Sequence, residues 1–222
     1  MANNIQVDFQ VTQLLCSRLC HDLAGPAGAV HNGMELLMES GGNDEGALGL
    51  VDMSVGQMKA RLKFYRLAFG LGGLNGQKPV LTEARDLATG FLKGGRTTLD
   101  WPDTPAMPEA AQIDLNRTGE AAKLLLNMII FGVESLPKGG VLEVQFALTT
   151  DSPAAIGLAV RGAGQGAFVK DERMAALSHG DADLSAHTIQ GFFMQRLAES
   201  LDGQIEVTVG VDEVQIAALL PG

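Results

Sequence analysis

His21 and Asp22 stand side by side in the run His21-Asp22-Leu23-Ala24-Gly25-Pro26. A neutral imidazole, with an unperturbed pKa of about 6.5, is a nucleophile near pH 7 and needs no strong base. A neighbouring carboxylate can hold its other nitrogen and so favour the reactive tautomer. Apolar residues recur in steps of four at Val7, Val11, Leu15, Leu19, Leu23 and Ala27, which marks one face of a helix. At about 100° per residue, His21 lies about 200° from both Leu19 and Leu23. It therefore points away from the apolar face, among Ser17, Gly25, Gly28 and Asn32, all small or polar. An imidazole held outward on a rigid helix with little bulk around it is open to another protein. The chemistry this implies happens at a protein surface and not in a small-molecule pocket.

Other reactive side chains carry less. Cys16 and Cys20 flank Ser17 and precede His21, but two thiols and one imidazole fall short of four ligands, and the thiols turn toward the apolar seam. Four residues apart on one helix, they are badly placed to bridge each other and read as reduced thiols. His31, His179 and His187 have no supporting neighbours. Lys59, Lys63 and Arg66 share one side of the next helix, where they form either a steering surface for an acidic partner or an ordinary solvated face. Pro26 removes a main-chain donor inside the helix and is expected to kink it.

These residues need a scaffold. The first helix spans about Asp8 to Glu39, roughly 32 residues and about 48 Å. Ser40-Gly41-Gly42-Asn43-Asp44 is a turn, and a second helix follows with Leu48, Val51, Val55, Met58, Leu62, Tyr65 and Phe69 in three-four alternation. Two such helices cannot bury both stripes alone, so a homodimer forming a four-helix bundle is expected. The glycine-rich stretch Gly70 to Pro79 divides a hairpin over residues 1–75 from a second domain over 76–222. There the expected order is β-α-β-β-α-β-β. A strand at Thr97 to Trp101 precedes a proline-rich loop through Pro108 and a buried helix capped by Asp114 and ending near Ser135. Strands follow at Val141 to Leu148 and Ala155 to Val160, then a helix from Ser185 to Leu201 with Gly203 as its left-handed cap. Strands at Ile205 to Val209 and Glu213 to Leu219 close the chain. The fold class is α+β: a helical hairpin followed by a two-layer α/β sandwich.

With 16 basic and 26 acidic residues, the net charge of −10 argues against a nucleic-acid partner. No charged segment followed by an apolar run opens the chain, so no secretory signal is read. The longest apolar run, Leu124 to Val133, is interrupted by Asn127 and is well short of the roughly 20 residues of a membrane span. A cytoplasmic protein without a membrane partner is expected.

His21-Asp22-Leu23-Ala24-Gly25-Pro26 resembles the H-box of two-component histidine kinases. The segment from Leu126 through Gly140, with its Pro137-Lys138-Gly139-Gly140 turn, resembles the kinase N-box. Phe131 stands where the resemblance places a Mg²⁺-binding asparagine, and Asn127 lies one turn early. Phenylalanine offers no oxygen to a hard cation. Val160 to Gly166 resembles the G1 box, with Gly162 in the place of the adenine-binding aspartate. Ala186 to Gln190 occupies the region of the G2 glycines with side chains that would obstruct a phosphate.

A His-bearing hairpin joined to a degenerate kinase-like sandwich resembles the alphaproteobacterial histidine phosphotransferases over nearly the whole chain. The resemblance implies phosphoryl transfer through His21, with Asp22 assisting, between the receiver domain of a hybrid histidine kinase and one or more response regulators. Ser17, Arg18, Gly25, Gly28, Lys59, Lys63 and Arg66 would form the docking surface. It implies no cofactor or metal of its own and no use of ATP, Mg²⁺ coming from the receiver's acidic pocket. Two other readings stay open: an active kinase with an atypical nucleotide site, and a scaffold that docks receivers without accepting phosphate.

Overall fold

The computed structural model describes residues 9–70, 79–102, 115–149, 155–177 and 184–221. Val7, Asp114 and His179, the glycine-rich stretch 71–78 and the end of the proline-rich loop lie outside them.

Helix α1 spans Phe9–Glu39 and α2 spans Glu45–Ala68, folded back on it as a hairpin. Gly41 and Gly42 turn the chain with φ of 65° and 87°, which glycine adopts without steric penalty. Gly42 donates its N–H to the Leu37 carbonyl at 2.7 Å, closing the end of α1. Asp44 caps α2 by accepting from the Ala47 N–H at 2.9 Å. At Gly33 a Cβ would stand 2.7 Å from Val51 Cγ2, so glycine allows the helices to touch there. The seven-residue seam of α2 separates into two stripes. Val51, Met58 and Tyr65 pack inward, whereas Leu48, Val55 and Leu62 remain 47–58% exposed.

An α-helix not expected from the sequence, α3 (Val80–Leu92), follows. Its buried positions are Leu81, Ala84, Ala88 and Leu92, and alanines in the middle of the stripe weaken its apolar periodicity. Phe91 compensates by stacking on Phe64 of α2, with ring centroids 4.2 Å apart.

The remaining elements are β1 (Thr97–Asp100), α4 (Leu115–Glu134), β2 (Gly140–Thr149), β3 (Ala155–Ala163), α5 (Asp171–Ala175), α6 (Ile189–Ser200), β4 (Gln204–Gly210) and β5 (Glu213–Pro221). The sheet order is β1-β2-β3-β5-β4, with only the β1–β2 pair parallel. One face carries Ile156, Leu158 and Val160 of β3 and Val214, Ile216 and Leu220 of β5, all buried against helices. The opposite face carries a polar triad in which Arg161 donates to Glu143 at 2.9 Å and to Glu213 at 2.6 Å. Helix α4 is buried nearly all round from Ala121 to Phe131 because sheet and helices enclose it from both sides.

Three local expectations change. Helix α6 starts at Ile189 and not at Ser185, because Ser185 to Thr188 forms a turn closed by the Thr188 hydroxyl on the Ser185 N–H at 2.8 Å. The left-handed residue after α6 is Asp202, with φ of 57°, and not Gly203. Gly203 is needed for another reason: a Cβ there would run into the side chain of Leu220. The short helix α5 also went unread, being five residues long. The hydrophobic core does not divide at the glycine-rich stretch. Phe64, Tyr65, Leu67 and Ala68 of α2 belong to the same cluster as the sandwich.

Candidate functional site

His21 projects from α1 with 87% of its side chain exposed. Ser17, Gly25 and Gly28 around it are exposed as well, and beyond the local backbone of α1 and the adjoining residues no atom lies within 4 Å of where a Cβ would stand at either glycine. The imidazole Nδ1 faces Asp22 Oδ1 at 3.3 Å, which leaves Nε2 as the nitrogen open to an incoming group.

Asp22 is held from two directions. Its Oδ2 accepts from the Tyr65 hydroxyl at 2.7 Å. Its main-chain carbonyl accepts from Arg61 Nη1. That carbonyl is free because its partner four residues on in an ideal helix is Pro26, which has no N–H. The consequence of the buried proline is therefore an orphaned acceptor at Asp22 that Arg61 satisfies. Arg61 and Tyr65 are four apart on α2, so one face of that helix supplies both grips. Burial, and then the negative charge of Asp22, hold the Tyr65 hydroxyl far above its ordinary pKa of 10.0, so it remains a proton donor in the folded protein.

The sandwich reaches the same place. Arg18 Nη2 donates to Glu134 Oε1 at the end of α4, and Glu134 Oε2 accepts from Arg173 of α5 at 2.6 Å. Arg173 in turn lies over the Phe131 ring, 4.2 Å from its centroid. This corrects the placement expected for Arg18. Its side chain is only 10% exposed, turned into the junction by Glu134 and not out onto a docking face, with Nε 3.9 Å from Asp22 Oδ2. Lys59, Lys63 and Arg66 are exposed on the turns of α2 that flank Arg61 and Tyr65. Cys16 and Cys20 are free and exposed. His31 faces Glu35 at 3.4 Å, and His187 lines an open cleft of about 230 Å³ with Glu134, Phe168, Lys170, Arg173 and Ala186.

The positions that resemble the N-box and the G1 box are filled. Phe131 is fully buried beneath Arg173. A Cβ at Gly162 would already meet Leu142 and Leu136 at 3.3–3.5 Å, so an aspartate there would displace both. Gln190 donates to Asn127 Oδ1 at 2.9 Å, and Asn127 donates to the Ala68 carbonyl at 2.8 Å, tying the sandwich to the end of α2. Asn127 is thus spent on packing the two parts together. Among the described residues no group of three or more histidine, cysteine or acidic side chains is arranged to hold a metal.

Arg61, Tyr65, Glu134 and Arg173 were not singled out from the sequence. The i, i+4 pairing of Arg61 with Tyr65 was visible, but Tyr65 also fits the apolar seam. Glu134 had one signal, a lone carboxylate at the end of an apolar helix.

Residues 81–213 match the family described as "Histidine phosphotransferase C-terminal domain". The chain is 32% identical over 205 residues to the protein phosphotransferase ChpT of Brucella abortus (strain 2308), covering 92% of this chain and 93% of that one. It also superposes on a solved structure of a bacterial phosphotransferase with a TM-score of 0.71 at 29% identity, covering 94% and 95% of the two chains. The match reaches back through the hairpin that carries His21, so that in sequence and in fold the whole chain belongs to the histidine phosphotransferase family.

Proposed function

We propose that His21 takes a phosphoryl group from the aspartyl phosphate of a receiver domain on a hybrid histidine kinase and passes it to the receiver of a response regulator. The observation that carries this reading is the exposed imidazole with Nδ1 facing Asp22 and Nε2 left open. Nε2 forms a bond to phosphorus as the acyl-phosphate P–O bond breaks, and that electron pair leaves with the donor carboxylate. Nδ1 keeps its proton, shared with Asp22. In the onward step the second receiver's carboxylate attacks phosphorus and Nε2 recovers its lone pair. Most of the catalysis is positioning and charge stabilisation. Mg²⁺ is expected from the receiver's acidic pocket.

Ser17, Gly25 and Gly28 form the level ground on which a receiver can approach, and Lys59, Lys63 and Arg66 steer its acidic face. The stripe of Leu48, Val55 and Leu62, together with the exposed Met34 and Leu36 of α1, supports pairing of two hairpins into a four-helix bundle. The reading places the protein in the cytoplasm, where its receivers are; no helix among the described residues is long and apolar enough to cross a membrane. Phe131 and Gly162 weigh against direct use of ATP.

The test is labelled phosphotransfer with wild type and His21→Ala, each given labelled ATP alone and then a phosphorylated receiver. Label from the receiver but not from ATP, and none in the variant, is the expected result. Label from ATP alone would identify a kinase, and receiver binding without label would identify a scaffold.

A further inference from the structure

Tyr65 is buried, carries no expected role, and yet its hydroxyl makes the shortest contact to Asp22 that involves a side-chain oxygen. A carboxylate beside two guanidinium groups would ordinarily turn onto one of them as a bidentate pair. Here the hydrogen bonds of both go elsewhere: Arg61 Nη1 to the Asp22 carbonyl and Arg18 Nη2 to Glu134, with Arg18 Nε 3.9 Å from Oδ2, beyond hydrogen-bond reach. Oδ2 is left to Tyr65, and with Oδ2 fixed, Oδ1 faces His21 Nδ1. A free imidazole in water favours the tautomer with its proton on Nε2, which leaves the lone pair on Nδ1, the nitrogen that faces Asp22 in this site. An acceptor fixed at Nδ1 reverses that preference.

We propose that Tyr65 is a positioning residue for phosphoryl transfer: its O–H fixes Asp22 so that Asp22 draws the His21 proton to Nδ1 and leaves the Nε2 lone pair free to attack. This rests on the assignment of His21 as the phosphoryl acceptor. Tyr65 touches neither phosphorus nor the receiver. Its effect passes through Asp22, from α2 to α1, and its neutral hydroxyl supplies it throughout the working pH range.

The experiment uses the full chain labelled with ¹⁵N-histidine, as wild type and Tyr65→Phe, with two readouts. Nitrogen shifts give the tautomer of His21, and single-turnover transfer from a phosphorylated receiver gives the rate. Tyr65→Phe is expected to move His21 toward the Nε2–H tautomer and to slow transfer about tenfold at saturating receiver, a hydrogen bond to a charged group being at stake. The receiver concentration for half-maximal rate should not change. A wild-type tautomer in Tyr65→Phe overturns the proposal, whatever the rate does. If Phe at position 65 prevents folding, Asp22→Asn decides instead. With Tyr65 holding the amide oxygen, the NH₂ faces His21 Nδ1 and forces the proton onto Nε2; an unchanged tautomer there also overturns the proposal. Wild type that takes no label would refute the role of His21 alone, since the tautomer comparison still reports on Tyr65.

Discussion

Asp22 is the residue on which the site converges. It meets His21, Tyr65 and Arg61 directly, and Arg18 stands just beyond hydrogen-bond reach. The Tyr65 contact has a consequence for stability at alkaline pH. Burial and the Asp22 charge keep Tyr65 protonated in the fold well above its ordinary value of 10.0, whereas the unfolded chain gives up that proton. Above that pH the unfolded state binds fewer protons than the native one, so stability falls as pH rises; below it the contribution is intact. The chain has a single tyrosine, so tyrosinate absorbance reports on this residue alone. The band is expected to emerge together with the loss of helical circular dichroism, and Tyr65→Phe should lack the steepest part of the alkaline loss. Titration of the hydroxyl in a still-folded protein at its ordinary value would show that the burial argument is wrong.

At the scale of elements, α2 joins the molecule together. Its C-terminal half lies in the sandwich core through Phe64, Leu67 and Ala68, while Arg61 and Tyr65 hold α1 at the functional residue. The second connection is the Arg18–Glu134–Arg173 chain, which runs from α1 through α4 to α5. Arg173 is buried and depends on Glu134 for its charge partner; burial lowers its pKa and the carboxylate opposes this. Glu134→Gln leaves two guanidinium groups without their shared counter-ion. The expected cost is about 1–3 kcal/mol in denaturant unfolding, reduced from that of a deeply buried pair because Glu134 retains some solvent contact. Hydrogen exchange should rise at α5 and around Arg18 more than elsewhere. An unchanged exchange pattern would mean that the packing of α4 alone holds the junction. The kink expected at Pro26 is less informative than what the proline does to Asp22, whose carbonyl it frees for Arg61.

At the scale of the whole molecule, an apolar stripe runs along the outer side of the hairpin. Leu48, Val55 and Leu62 recur every seven residues and face away from α1 and the sandwich. A buried seam of that spacing is how helices pair. Val55→Glu places a charge in the middle of the stripe and is expected to convert a dimer to a monomer in light scattering, without loss of helical signal. A wild-type monomer at micromolar concentration would remove the stripe's assigned purpose. Much of this architecture was legible beforehand. Four-residue spacing from Val11 to Leu23 located α1 and put His21 on its outer side, and the strands expected at Ala155 to Val160 and Glu213 to Leu219 lie within β3 and β5. Helix α3 escaped because alanine carries little apolar signal, and the left-handed residue was misplaced because Asp202 adopts a conformation more readily expected of Gly203.

Local order is what the chain determined by itself: the periods of its helices and strands, the glycine turn of the hairpin, and the exposure of His21, each set by residues within a turn or two of one another. The family resemblance was also readable, since its motifs are contiguous. Tertiary structure alone decided which way Arg18 points, what holds Asp22 and what fills the place of a nucleotide. The contacts that turn Arg18 and hold Asp22 join residues 39, 43 and 116 positions apart. Spacing along the chain encodes which face of a helix a residue occupies. It does not encode which of several charged partners, brought up by other helices, reaches that face first.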